Sequence, residues 1–208
     1  MKALFNGTIK EFKKTTKSEL QLNKWKVFEM NIEDRYDWVQ DNSYVNKLHE
    51  IAKSNDIKYD KYEIISWLDS QSIMLKIINK MEKLGFDNLL NKVRIIQEFH
   101  IPFTNKRADY LLVYENKIII IEFSYNKFEN KDYHYNIKLN QVIGYKELIS
   151  NILPKDIDIA TYTFLLYPED VDENSNKEQI ENFVEYIKFF MEKKSVSAYE
   201  ELKLIRSN

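Results

Sequence analysis

The sequence predicts an α/β (α+β) fold, a mixed central sheet of about four strands flanked by helices on both faces. Three observations predict it. Short runs rich in β-branched residues cluster in the middle of the chain, at 93–99, 107–114 and 117–123, the last with four consecutive isoleucines. The second and third runs are apolar on both alternating faces, so the sheet must be covered on both sides. Segments with helical spacing of apolar residues precede and follow these runs and supply the cover.

In chain order, residues 1–60 mix lysine-rich and aromatic stretches and read as a helical N-terminal extension of one domain, with a helix at 42–54 behind Asp41 as N-cap. Residues 61–194 are the expected core and 195–208 a C-terminal tail. Over 62–84 the residues Ile64, Ile65, Leu68, Ile73, Leu75, Ile77, Ile78 and Met81 recur as in one long or broken helix, and Gly85 stands where a C-cap belongs. After the three strands come a helix at 136–151, stopped before Pro154, and a strand at 159–167. The polar stretch 168–176 reads as a loop. The final helix presents Ile180, Phe183, Val184, Ile187 and Phe190 on one side.

With 208 residues, 44% of them hydrophobic, the chain can build one full core. No window approaches the roughly 18 apolar residues of a membrane span, and residues 1–17 lack the apolar centre of a secretory signal, so a cytoplasmic protein without a membrane partner is expected. Cysteine is absent, which leaves oxygen or histidine to hold any metal. The three histidines, His49, His100 and His134, are far apart and form no metal-binding spacing. Three isolated glycines exclude a P-loop and a dinucleotide-binding turn, both of which need clustered glycines. A formal charge of -2 and a pI near 6.0 give no global basic signature, so a nucleic-acid partner needs local positive patches.

Two acids interrupt the apolar strands. If Glu115 and Asn116 form a two-residue turn, Tyr114 faces Lys117, Asp109 falls opposite Glu122, and Arg107 opposite Ser124. Facing carboxylates repel and must be compensated. A divalent cation would do so, and oxygen-only ligation points to Mg2+ or Mn2+. Equally, the acids mark strand ends with Arg107 as their counter-charge. On the following helix Gln141 and Tyr145 stand four apart and share a face, which Ile137 and Leu148 continue as core, and Gly144 permits close approach there.

The order of these parts resembles the PD-(D/E)xK nuclease superfamily. The run RADYLLVYENKIIIIEFS followed by NQVIGY places Asp109, Glu122, Gln141 and Tyr145 on the positions of its strand acids and of the QxxxY helix of RecB-like branches. Glu63, Ser66, Trp67, Glu98, Pro102, Arg107 and Asp109 follow the order of features in the restriction-endonuclease-like domains that precede some helicases. The resemblance covers roughly Glu63 to Ile149 and its motifs are short. It implies a restriction-endonuclease-like core hydrolysing phosphodiester bonds of nucleic acid, DNA before RNA. Asp109, Glu122 and the Phe123 carbonyl would bind Mg2+ or Mn2+, with Glu63 or Glu98 as a further acid. Gln141 would orient the attacking water and Tyr145 touch the nucleic-acid backbone.

One position departs from the pattern. The motif lysine falls at Ser124, which carries no charge to polarise water. Arg107 across the hairpin, Lys127 in the next loop or Lys138 on the QxxxY helix are the candidate replacements. The alternative is a degenerate module that binds nucleic acid or recruits a helicase or effector partner without cutting. Lys127, Lys131, Lys138 and Lys146 flank the site as candidate phosphate contacts. Lys10, Lys13, Lys14, Lys17, Lys24 and Lys26, interleaved with Phe12 and Trp25, form either a second such patch or a solvated face. The aromatic C-terminal helix, with Phe183, Tyr186, Phe189 and Phe190, is core, or with an over-wide apolar face a homodimer interface.

Overall fold

The computed structural model describes residues 2–20, 32–39, 42–125, 131–166 and 169–192. In chain order these form β1 (Phe5–Thr8), α1 (Ile9–Leu20), α2 (Ile32–Val39), α3 (Ser43–Ser54), α4 (Lys61–Lys83), α5 (Asp87–Lys92), β2 (Arg94–His100), β3 (Arg107–Tyr114), β4 (Lys117–Tyr125), α6 (Lys131–Ile152), β5 (Asp158–Leu166) and α7 (Glu169–Glu192). The strands make one five-stranded sheet in the order β1-β2-β3-β4-β5. All neighbours are antiparallel except β4 and β5, which run parallel and are joined by α6. The sheet is therefore mixed, as expected, with one strand beyond the predicted count.

That extra strand is β1, four residues with a glycine among them, too short and too polar to show as a strand in the sequence. It pairs with β2 from Phe5↔Gln97 to Thr8↔Arg94, so the N-terminal segment is built into the sheet and is not purely helical. Thr8 then starts α1 by a reciprocal cap. Its hydroxyl accepts from the Glu11 amide at 3.2 Å, and the Glu11 carboxylate accepts from the Thr8 amide at 2.7 Å.

Alternation along the central strands sorts the side chains into two layers. Tyr110, Leu112, Ile119, Ile121 and Phe123 pack with Ile73, Ile77, Phe164 and Phe183 in the core under α4 and α7. Leu111, Ile118 and Ile120 point the other way and pack on Val142, Tyr145 and Ile149 of α6. Helix α4 is buried along most of its length because a second cluster, with Tyr44, Val45 and Leu48 of α3, covers its outer side at Ile64, Ile65 and Leu68. It is one continuous helix, capped by Asp60 at its start and ended just before Gly85, whose φ of 76° is the left-handed conformation glycine favours.

Several local expectations change. The cap of α3 is Asn42, whose side chain accepts from the Tyr44 amide, and Asp41 lies outside the described residues. Residues 169–176, expected as a loop, are the first turns of α7. Phe12 is fully buried in the core and is no stacking ring. On α7, Phe183 and Ile187 are buried, Tyr186 and Phe190 pack partly on the core, and Phe189 is exposed. Trp25, Lys24, Lys26 and the tail 195–208 lie outside the described residues.

Candidate functional site

The hairpin has the predicted register, from Tyr114↔Lys117 to Tyr110↔Ile121. At the next step the two acids take over from the ladder. The Asp109 amide donates to Glu122 Oε1 at 3.0 Å, and the Phe123 amide donates to Asp109 Oδ2 at 2.8 Å. Each carboxylate thus binds an amide of the opposite strand, which fixes both acids on the α6 side of the sheet. Glu122 is completely buried.

Helix α6 closes over this pair. Lys138 Nζ donates to Glu122 Oε2 at 2.9 Å, and Gln141 Nε2 donates to the same oxygen at 3.2 Å. Gln141 also donates to the Tyr145 hydroxyl, so the three residues form one hydrogen-bonded strip along the helix. Spacings of three and four residues put them on a single face. Of the candidate replacements for the motif lysine, Lys138 is the one brought to the acids. Arg107 turns away from Ser124 and pairs instead with Glu63 of α4 and with Glu98, whose Oε2 lies 3.2 Å from Nη1. Lys127 lies outside the described residues, as do the side-chain surroundings of Lys131, and Lys146 is exposed on α6. Ser124 is buried in the β4–β5 ladder opposite Leu165.

Burial raises the Glu122 carboxyl from 4.5 to about 8, with the charge of Asp109 adding to it and Lys138 opposing. Burial alone would lower the Lys138 ammonium, but Asp109 and Glu122 outweigh it and hold the lysine protonated. Glu98 is pushed well above its ordinary value by burial and then by Asp109, against the pull of Arg107. Its backbone is unusual as well. It falls between the pairs Gln97↔Tyr110 and Phe99↔Ala108 with a φ of 54°, a left-handed residue inside a buried strand. Such a conformation costs on the order of 1–2 kcal/mol and clusters at functional sites.

These groups line an open cavity of about 400 Å³, floored by Glu98 and Asp109, with Glu63 and Trp67 of α4 on one side and Lys138, Gln141 and Tyr145 on the other. Asn105 and Lys106, from the loop between β2 and β3, complete the wall. Sequence reasoning passed over both, although their place between two paired strands puts them at the same sheet end as Asp109. Ile137 is 46% exposed, so the packed stripe of α6 is Val142, Tyr145 and Ile149 with Leu148 beside it. Among the described residues, a Cβ added at Gly144 would meet nothing within 4 Å, so no packing contact there requires glycine. A second cavity, of about 410 Å³, opens between α4 and α7 among Lys76, Lys83 and Lys177 and lies apart from the acids.

The fold and the site define a class: an α/β protein with a mixed sheet whose central hairpin carries a facing acid pair, Glu122 buried and Asp109 open to the cavity, under a helix-borne lysine and glutamine. Comparison of the chain with protein-family models, with curated proteins and with solved structures finds no match. Among the described residues no helix is long and apolar enough to cross a membrane, and no three histidine or acidic side chains converge as a cation cage.

Proposed function

We propose that the chain is a divalent-metal-dependent nuclease of the PD-(D/E)xK kind, hydrolysing phosphodiester bonds of nucleic acid, DNA before RNA. The observation that carries this reading is the contact of Lys138 with Glu122, because it restores to the acid pair the cation that Ser124 cannot supply. The donor set suits a hard cation. Asp109 and Glu122 offer oxygen only, and burial raises the Glu122 carboxyl with the charge of Asp109 adding to it, so a cation held between the two acids would favour the ionised form. Asp109, Glu122 and the Phe123 carbonyl would hold Mg2+ or Mn2+, with bound water completing the shell.

Such an ion supplies Lewis acidity to ionise water and to stabilise the leaving oxygen. The chain's own groups do the rest. Lys138 places positive charge beside the position of the attacking water and lowers the cost of its ionisation. Gln141, anchored by the Tyr145 hydroxyl, orients that water. Arg107 pairs with Glu63 and Glu98 in the cavity lining, and Lys106, in the same lining, would meet a phosphate backbone entering the cavity. A reducing, cytoplasmic setting belongs to the same reading and is supported by the absence of cysteine.

A second reading has its own support. Both oxygens of Glu122 already accept hydrogen bonds from protein groups, which a module that binds nucleic acid or recruits a helicase or effector without cutting would also show. Incubation with single- and double-stranded DNA and RNA, with magnesium or manganese, separates the two. Asp109→Asn is the control, since an amide oxygen still accepts from the Phe123 amide. Cleavage lost in Asp109→Asn supports the nuclease; binding without cleavage in the parent chain supports the module.

A further inference from the structure

We propose that Phe103 stacks on an unpaired base of the strand held at the acid site, so that the substrate has single-stranded character. This rests on the nuclease reading and adds to it the form of the nucleic acid. Phe103 is 97% exposed, the most exposed large hydrophobic side chain among the described residues. It sits at the tip of the loop between β2 and β3, whose next residues, Asn105 and Lys106, form the cavity wall.

The loop is pinned. The Ile101 amide donates to the Lys106 carbonyl at 3.0 Å, the Thr104 hydroxyl donates to the Ile101 carbonyl at 2.9 Å, and the Lys106 amide donates to the Thr104 hydroxyl at 3.1 Å. Within it Phe103 has a φ of 63°, a conformation that glycine or asparagine takes at far lower cost. A bulky aromatic ring is therefore presented to solvent from a pinned loop, at a position whose backbone disfavours it. The ring gains nothing there from the fold.

The surroundings select the occupant. A protein docking patch needs several contiguous apolar groups, whereas Thr104, Asn105 and Lys106 are polar or charged. Lys106 Nζ lies 6.0 Å from the centre of the Tyr145 ring and shares the cavity lining with Asp109, which puts a cation three residues from the aromatic tip beside the acids, where a phosphate would pass. Inside a duplex both faces of every base are covered by its neighbours. Only an unpaired base offers a free face to Phe103.

The test uses the full chain carrying Asp109→Asn, so that bound strands survive, in magnesium buffer at low salt. Fluorescence anisotropy follows a labelled oligothymidylate of about 12 nucleotides, within the span of a single groove, and a duplex of the same length. Phe103→Ala and Phe103→Asn are compared, the second because asparagine accepts the left-handed backbone and keeps the loop intact. Both are expected to weaken single-strand binding by roughly 5- to 20-fold and to leave duplex binding unchanged. Phe103→Trp is expected to retain binding and to add emission that the single strand quenches.

Equal binding by the parent and both variants overturns the inference, as does an equal loss for strand and duplex. In either case the parent chain still binds and the native chain still cuts, so the nuclease reading stands. If the native chain neither binds nor cuts any of these substrates, that reading fails and takes the stacking role with it.

Discussion

Lys138 Nζ lies 2.9 Å from Glu122 Oε2, a contact between a partly buried ammonium on α6 and a completely buried carboxyl on β4. The two residues are sixteen positions apart in sequence, one on β4 and the other on α6. Lys138→Met is expected to lower the cleavage rate by about 100-fold, the usual consequence of removing one charge-stabilising donor. Lys92→Met, which removes an exposed lysine of α5, serves as the comparison. Cleavage within threefold of the parent in Lys138→Met would reduce the lysine to a structural counter-charge.

The same pair sets a pH dependence. The folded carboxyl of Glu122 stands at about 8 against an ordinary 4.5, so the folded chain holds a proton that the unfolded chain releases. The contribution to stability is fully present below 4.5 and is lost as pH rises through about 8. Glu98, also raised, acts in the same direction. In metal-free buffer the melting temperature is expected to fall across this window, and to fall less steeply in Glu122→Gln. Magnesium is expected to raise it most at the alkaline end, where Glu122 is ionised and free to bind. Parallel curves for the parent and Glu122→Gln would remove Glu122 as the source.

The acid pair was legible because a hairpin with a two-residue turn leaves one register, and that register follows from where the apolar runs stop. Gln141 and Tyr145 were legible by helical spacing. The lysine was not, because nothing local distinguishes Lys138 from Lys127 or Arg107; the choice depends on where α6 crosses the sheet. The partners of Arg107 were not legible for a related reason. Cross-strand position put it opposite Ser124, but its long side chain reaches Glu63 on a helix forty-four residues away in sequence. In β1 the strand itself is too short to show, yet Thr8-Ile9-Lys10-Glu11 carries the capping pattern that marks the start of α1. The loop expected at 168–176 is helical from Glu169 onward because polarity alone does not distinguish a loop from the polar turns of a helix.

Gly85 isolates a purely backbone effect. Its φ is 76°, and an added Cβ would meet nothing within 4 Å. Gly85→Ala is therefore expected to destabilise the chain by about 1 kcal/mol through conformation alone. Urea unfolding measures it. A change indistinguishable from zero would mean that the end of α4 relaxes into another cap.

Arg35 of α2 and Asp69 of α4 pair where both side chains are only 5% exposed. The pair lies away from the cavity and ties the N-terminal helices to α4, which also carries Glu63 at the site's edge. Removing Asp69 takes from the buried Arg35 the opposite charge it faces, so Asp69→Ala is expected to cost about 3–5 kcal/mol. Replacing both by apolar residues of similar size, Arg35→Met with Asp69→Leu, removes the two desolvation costs together and is expected to recover most of that loss. Urea unfolding of the two single variants and the double variant measures the coupling directly. If Asp69→Ala costs less than about 1 kcal/mol, the range of exposed pairs, water reaches Arg35 once Asp69 is gone. If the double variant is no more stable than Asp69→Ala, the pair is needed to fix how α2 seats on α4, and apolar packing cannot stand in for it.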